Sequence, residues 1–290
     1  MSSEAKRLRI LLGDHPGTKA LKSGEVASSR VAFDFADYTP TNKGFKPMVR
    51  QQAFDVSEMA LVTYLMARDH GKPMVLLPAT VMGRFAHASA LYNAERRRLT
   101  VADLAGKRVG IRSFTTTSGA WLRGILANDH GVDLDGIEWI TYEDPHVAEY
   151  RDTTTRAPAG KTILQMLLDG EIDAALGETS ADPRLKPLFG DPEAEARAWY
   201  ARHGVMPINH VVVVSQTLND GDPDTVREVY RLLKEARARA PATVPDGTPF
   251  GLAAMRPALE LIIAYAAQQK LISRRFTVEE VFSDLTRGLA

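Results

Sequence analysis

The 290-residue chain contains no cysteine. That absence removes disulfides, thiolate nucleophiles, cysteine-ligated zinc, iron–sulfur clusters and cysteine-linked lipid anchors together. Net charge is absent too, because 36 lysines and arginines balance 36 aspartates and glutamates. A nucleic-acid surface or a membrane-hugging face calls for excess positive charge, so neither partner is expected. Long apolar runs are missing. No window approaches the ~18 apolar residues of a membrane helix. After the polar opening MSSEAKRLR comes only Ile10-Leu11-Leu12, short of the roughly 7–15 apolar residues of a secretory leader. With Met1 as the start, a cytoplasmic protein is expected. GxGxxG, the Walker loop, GxSxG, HExxH and H-x-x-x-H are also absent. Nucleotide binding, serine hydrolysis and a local zinc motif therefore lack support, and neither a cofactor nor a metal is expected.

What is present is an ordinary globular mixture, 44% hydrophobic and 25% charged, in a chain long enough for two domains. Short apolar runs alternate with helical patterns, which predicts an α/β fold. Strands are predicted at 7–12, 31–35, 54–56, 73–77, 89–92, 108–111, 137–141, 173–176 and 211–214. The last is a β-branched run suited to burial on both faces. A helix is predicted over 57–68, with Ser57 as its cap and Met59, Leu61, Val62, Leu65 and Met66 as its core stripe. An amphipathic helix carrying Trp121, Leu122, Ile125 and Leu126 is expected after Ser118. Further helices are expected at 161–168, closed by Gly170, and at 193–203, 223–240, 255–269 and 277–285. The charged phrase Glu95-Arg96-Arg97-Arg98 marks a boundary, and the middle reads as a complete small α/β unit. Residues 1–94 and 206–290 are thus expected to form one discontinuous lobe, with 95–205 inserted as the second. The helical C-terminal third offers a surface for a homodimer.

Three phrases, Phe54-Asp55-Val56-Ser57-Glu58-Met59-Ala60, Leu104-Ala105-Gly106-Lys107-Arg108-Val109-Gly110 and Gly170-Glu171-Ile172-Asp173-Ala174-Ala175, resemble the type 2 periplasmic-binding-protein fold. A narrower set resembles the 4,5-dihydroxyphthalate decarboxylases, which share it. This set comprises Gly13-Asp14, Glu58-Met59 with Tyr64-Leu65-Met66-Ala67, Phe85-Ala86-His87, Trp121 to Leu126, Gly204 to Val213, and Arg275 to Glu280. The matches run in order along nearly the whole chain. Two positions depart from the pattern: Asp14-His15-Pro16-Gly17-Thr18 stands where the family carries Asp-Tyr-Asp-Arg-Thr, and Ala86 stands where an arginine precedes the histidine. Both changes remove a guanidinium able to hold a carboxylate bidentately, and Arg84 is a candidate to replace one.

The resemblance implies a two-lobed α/β fold with a central ligand cleft. It also implies a cofactor-independent carboxy-lyase of aromatic catabolism, converting 4,5-dihydroxyphthalate to 3,4-dihydroxybenzoate and CO2, with a small aromatic carboxylate as its substrate. Losing CO2 from a ring requires protonation of the carboxylate-bearing carbon, driven by an ionised para hydroxyl. The site then needs an acid, a base and anion-holding groups. His87 and His210 are the acid–base candidates, their imidazoles titrating near neutrality; the alternative is a structural role for each. Asp14 either accepts a phenolic proton or starts a turn with Pro16-Gly17. With His15 it follows the first strand, where open α/β sheets place ligands. Thr116, Thr117 and Ser118 precede a helix and either bind a carboxylate or cap it. Arg123 either serves the substrate or sits exposed on that helix. Glu58, in the first turn of its predicted helix, either answers the helix dipole or acts as a base, and Glu178, after the 173–176 strand, is a further candidate. The competing function is a small-acid solute-binding protein of an ABC-type transporter, which performs no catalysis.

Overall fold

The structure, a computed structural model, describes residues 5–290; Met1–Glu4, part of the opening read for a leader, lie outside the described residues. In chain order the elements begin β1 (Lys6–Leu11), α1 (Lys19–Lys22), β2 (Val31–Phe35), α2 (Phe45–Gln51), β3 (Val56–Ala60), α3 (Leu61–Asp69), β4 (Met74–Gly83) and β5 (Ala90–Asn93). There follow β6 (Arg108–Ile111), α4 (Thr117–His130), β7 (Glu138–Thr141), β8 (Thr155–Arg156), α5 (Ile163–Asp169), β9 (Ala174–Leu176), β10 (Leu185–Pro187) and α6 (Pro192–His203). The chain closes with β11 (Ile208–Ser215), α7 (Gln216–Gly221), α8 (Pro223–Ala238), α9 (Leu252–Gln268) and α10 (Asp284–Arg287).

These elements fall into two compact units, each with its own sheet. The first runs to Arg84 and resumes over Met206–Ala267 and Ile272–Ala290. Its sheet has the order β2-β1-β3-β11-β4, with β11 antiparallel to both neighbours while β1 runs parallel to β2 and β3. Leu8, Ile10, Val56, Val212 and Val214 make one core with Val226, Val229 and Leu233 of α8. That helix starts cleanly because Asp222 accepts from the Thr225 N–H and Pro223 fills the first turn, where its missing N–H costs nothing.

The second unit comprises Phe85–Val205 with Gln268–Leu271. Its sheet has the order β10-β5-β9-β6-β7-β8, and Ile140, Ile163, Leu167, Ile172 and Leu185 pack as its core. Gly110 on β6 permits this packing: a Cβ there would lie 2.6 Å from Ile172 Cδ1 and 2.8 Å from Ile163 Cγ2.

Four expectations are corrected. The first crossing falls at Arg84 and not after residue 94, because β5 pairs with β9 and β10 in the second sheet. Residues 57–60 are strand, not helix: all five residues of β3 are buried and pair with β11, and Val56 and Ser57 pair with β1 as well, so sheet pairing overrides the helical pattern. Residues 277–285 contain only a single 3₁₀ turn and the start of the short α10. Finally, α4 is buried all round from Gly119 to Leu126, where an amphipathic stripe was expected. No helix is long and apolar enough to cross a membrane among the described residues.

Candidate active site

The first unit gathers His15, Glu58 and His210 around one carboxylate. β3 runs antiparallel to β11 with Glu58 opposite Val212 and Ala60 opposite His210. Side chains two apart on a strand share a face, so Glu58 and His210 are diagonal neighbours within reach of each other. His210 Nδ1 lies 2.6 Å from Glu58 Oε1. The pairing of β11 with β4 is irregular on both sides of His210, a bulge of the kind that re-aims a side chain. Phe45 of α2 meets the imidazole edge-on, with centroids 5.2 Å apart, and fixes its plane.

His15 arrives from the loop after β1. There the Thr18 hydroxyl donates to the Gly13 carbonyl and accepts from the His15 N–H, which ties the turn down. His15 Nε2 stands 3.0 Å from both oxygens of Glu58, and the Gly13 N–H donates to Oε2 at 2.7 Å. A Cβ at position 13 would come within 2.7 Å of Thr41 Oγ1 and 2.9 Å of both Glu58 Oε2 and His15 Nε2, so a larger residue there must displace these side chains.

Glu58 is 1% exposed. Burial alone pushes its carboxyl up, but the hydrogen bonds and positive charge of His15 and His210 outweigh that and hold it at about 2. An ionised carboxylate can only accept, so the facing nitrogens carry the protons. His15 Nδ1 and His210 Nε2 are left with no protein partner among the described residues, on side chains 19% and 20% exposed. This is a buried anion with two accessible imidazoles, able to donate a proton, accept one, or hold a metal ion through its three donor groups. His15 also lines a groove of about 920 Å³ whose rim carries Lys19, Lys22 and Arg239 against Asp14 and Glu25.

Asp14 stands apart from the cluster. Its side chain is 90% exposed and pairs with Lys22. Glu58 belongs to a strand, so a helix dipole is not its explanation. The Arg84 N–H donates to Asn209 Oδ1 while its side chain is exposed. Sequence reasoning quoted Gly13 only within a phrase of the resemblance and missed Phe45, because a phenylalanine at the start of an unassigned helix carries no local signal for a site formed across the sheet.

The second unit holds the remaining candidates. Thr116 occupies the N-cap of α4 without a side-chain cap bond; its hydroxyl donates back to the Ser113 carbonyl. Thr117 is buried and Ser118 half-buried in the first turn. Arg123 is fully buried, which removes the exposed reading of it. Side chains on a helix lean toward its N-terminus, and this guanidinium donates to the Phe114 carbonyl and Gln269 at 2.6 and 2.8 Å, with the Phe114 ring 3.7 Å away. Burial brings it down to about 9, and Nη1 has no hydrogen-bond partner among the described residues. Its positive charge lies behind the first turn of α4 and adds to the attraction of that terminus for anions. Glu178 follows β9, and burial raises its carboxyl. His87 is 1% exposed, with Phe189, Phe85 and Trp199 rings at 5.0, 6.1 and 6.4 Å. Neither ring nitrogen has a hydrogen-bond partner among the described residues, and burial, reinforced by the charge of His130, lowers its imidazole to about 4.

No family model matches the chain. It is 29% identical over 256 residues to a 4,5-dihydroxyphthalate decarboxylase of Comamonas testosteroni, covering 83% of this chain and 77% of that one. It is 29% identical over 209 residues to the enzyme of the same name from Pseudomonas putida, covering 67% and 81%. Among solved structures, the periplasmic aliphatic sulphonate binding protein of Escherichia coli superposes with a TM-score of 0.58 at 13% identity, over 98% of this chain and 93% of that one. The desulfurization enzyme DSZB superposes with a TM-score of 0.51 at 15% identity, over 97% of each. The α/β two-sheet fold is that of the periplasmic-binding-protein-like structures, a scaffold carrying both a binding protein and an enzyme.

Proposed function

We propose that the protein is a decarboxylase of a hydroxylated aromatic acid, converting 4,5-dihydroxyphthalate to 3,4-dihydroxybenzoate and CO2. The observation that carries this reading is the ionised, buried Glu58 shared by His15 and His210. Two decarboxylases of that name, each 29% identical, support the substrate class.

In this reading His210 delivers a proton from Nε2 to the ring carbon that bears the carboxylate. His15 takes the proton of the hydroxyl para to that carbon, so the ring's own oxygen supplies the electron pair. The carbon–carboxylate bond then breaks, its electrons restore aromaticity, and CO2 leaves. One proton enters the ring where one carboxylate departs. Glu58 is a positioning residue: it sets the tautomer of both rings and provides the counter-charge for whichever ring carries a second proton. Proton transfer by a held side chain contributes roughly 10²–10⁴-fold to rate. The cationic excess on the rim of the groove beside His15 suits a di-anionic substrate, and the α4 terminus backed by Arg123 is the carboxylate-attracting place of the second unit.

The test is CO2 release from 4,5-dihydroxyphthalate by purified protein, with the product identified chromatographically. Formation of 3,4-dihydroxybenzoate that His210→Ala abolishes supports the reading, and equal turnover in that variant sinks it. A binding role without chemistry draws on the likeness to the sulphonate binding protein. Saturable binding of the acid with no product would select it.

A further inference from the structure

The three groups that meet at Glu58 have a second capacity, independent of the reaction proposed above. We propose that His15, Glu58 and His210 form a site for one zinc-class divalent ion, bound through His15 Nε2, His210 Nδ1 and a Glu58 oxygen, with a fourth position open to water or an oxygen ligand. The donor atoms of these three residues all lie within 4.8 Å of one another. Two imidazoles and one carboxylate are an established zinc donor set for sites that keep an open position. Bonds of about 2.0–2.1 Å in a tetrahedron put donors about 3.3 Å apart. The nitrogen–oxygen contacts here are 2.6 and 3.0 Å, so an ion enters by a small widening after displacing the shared protons.

The surroundings are those of a ligand set already held in place. The Gly13 N–H orients the carboxylate, Phe45 fixes the His210 ring and the Thr18 hydroxyl pins the His15 loop. Partners of this kind, one layer behind the donors, govern metal affinity. Glu58 is a buried anion and requires a positive partner, which the ion supplies directly. Both imidazoles are about one-fifth exposed, which leaves an entry path.

Chelator-treated protein would be titrated with Zn²⁺ by calorimetry and with Co²⁺ by visible absorption. One equivalent of Zn²⁺ and the intense bands of four-coordinate Co²⁺ are expected. His15→Ala and His210→Ala should each weaken Zn²⁺ binding by roughly 100-fold or more. His203→Ala, which removes the histidine 2.8 Å from Asp129 in the second unit, should leave it unchanged. Absence of Zn²⁺ binding, or binding that both variants retain, overturns the site. Decarboxylation is assayed on the same metal-free protein. Turnover without Zn²⁺ binding removes the site and leaves the reaction standing; Zn²⁺ binding without turnover does the reverse.

Discussion

His210 and His87 were equal candidates on sequence, and the structure gives them opposite surroundings. His210 meets an ionised carboxylate at 2.6 Å, with its second nitrogen on a side chain 20% exposed. His87 lies 1% exposed among three aromatic rings with neither nitrogen bonded. The difference lies in the neighbours: one ring faces a buried carboxylate, while the other sits in an apolar cage that penalises its charged form.

The largest effect should come from removing the useful histidine. His210→Ala is expected to cut decarboxylation by about 10²–10⁴-fold with an unchanged circular dichroism spectrum; near-normal turnover would erase the contrast between the two rings. Next comes Gly13→Ala, whose new Cβ would press on Glu58 Oε2 and His15 Nε2 at 2.9 Å. A displacement on the order of 1 Å costs ~10²-fold in rate. Steady-state kinetics should show that loss in kcat, and an unaffected kcat would mean the cluster need not be tight.

His87 sharpens the comparison from the other side. Its folded imidazole titrates at about 4 against 6.5, so between those values the unfolded chain binds the proton that the folded chain refuses. Its penalty is absent above pH 6.5, grows as pH falls through that window and is complete below pH 4. That difference corresponds to about 3 kcal/mol at most. Urea unfolding at pH 7, 5.5 and 4 should therefore show His87→Leu losing less stability on acidification than the parent. Parallel curves would place His87 elsewhere than an apolar interior. Turnover of that variant should stay within about threefold, since its imidazole moves no proton in the proposed reaction. The smallest effect belongs to Asp14→Asn. An exposed pair such as Asp14–Lys22 contributes about 0–1 kcal/mol, and both melting temperature and kcat should barely move. A large fall in kcat would return Asp14 to the catalytic group.

The identities of the site residues were partly legible, and their grouping was not. Glu58, His15 and His210 each had a chemical reason to be singled out, yet only cross-strand register and a pinned loop bring positions 15, 58 and 210 together. Spacing along the chain argues against a metal motif for the same reason: ligands borrowed from β3, β11 and a loop leave no local pattern. Glu58 was read on a helix because apolar residues follow it at helical intervals, and sheet pairing on both sides overruled that preference.

The sequence alone determined the α/β class, the strand at 31–35 and the central run of β11, because β-branched and apolar runs encode burial directly. It also determined the αL stop of α5 at Gly170, since glycine tolerates that backbone. Tertiary structure decided which charges are buried and which are wet. Arg123 and Asp14 are both ordinary charged residues in sequence, and packing put one wholly inside and left the other 90% exposed. The strength of a charge or proton site depends on dielectric and on neighbours a few ångströms away, and those neighbours come from parts of the chain far apart in sequence.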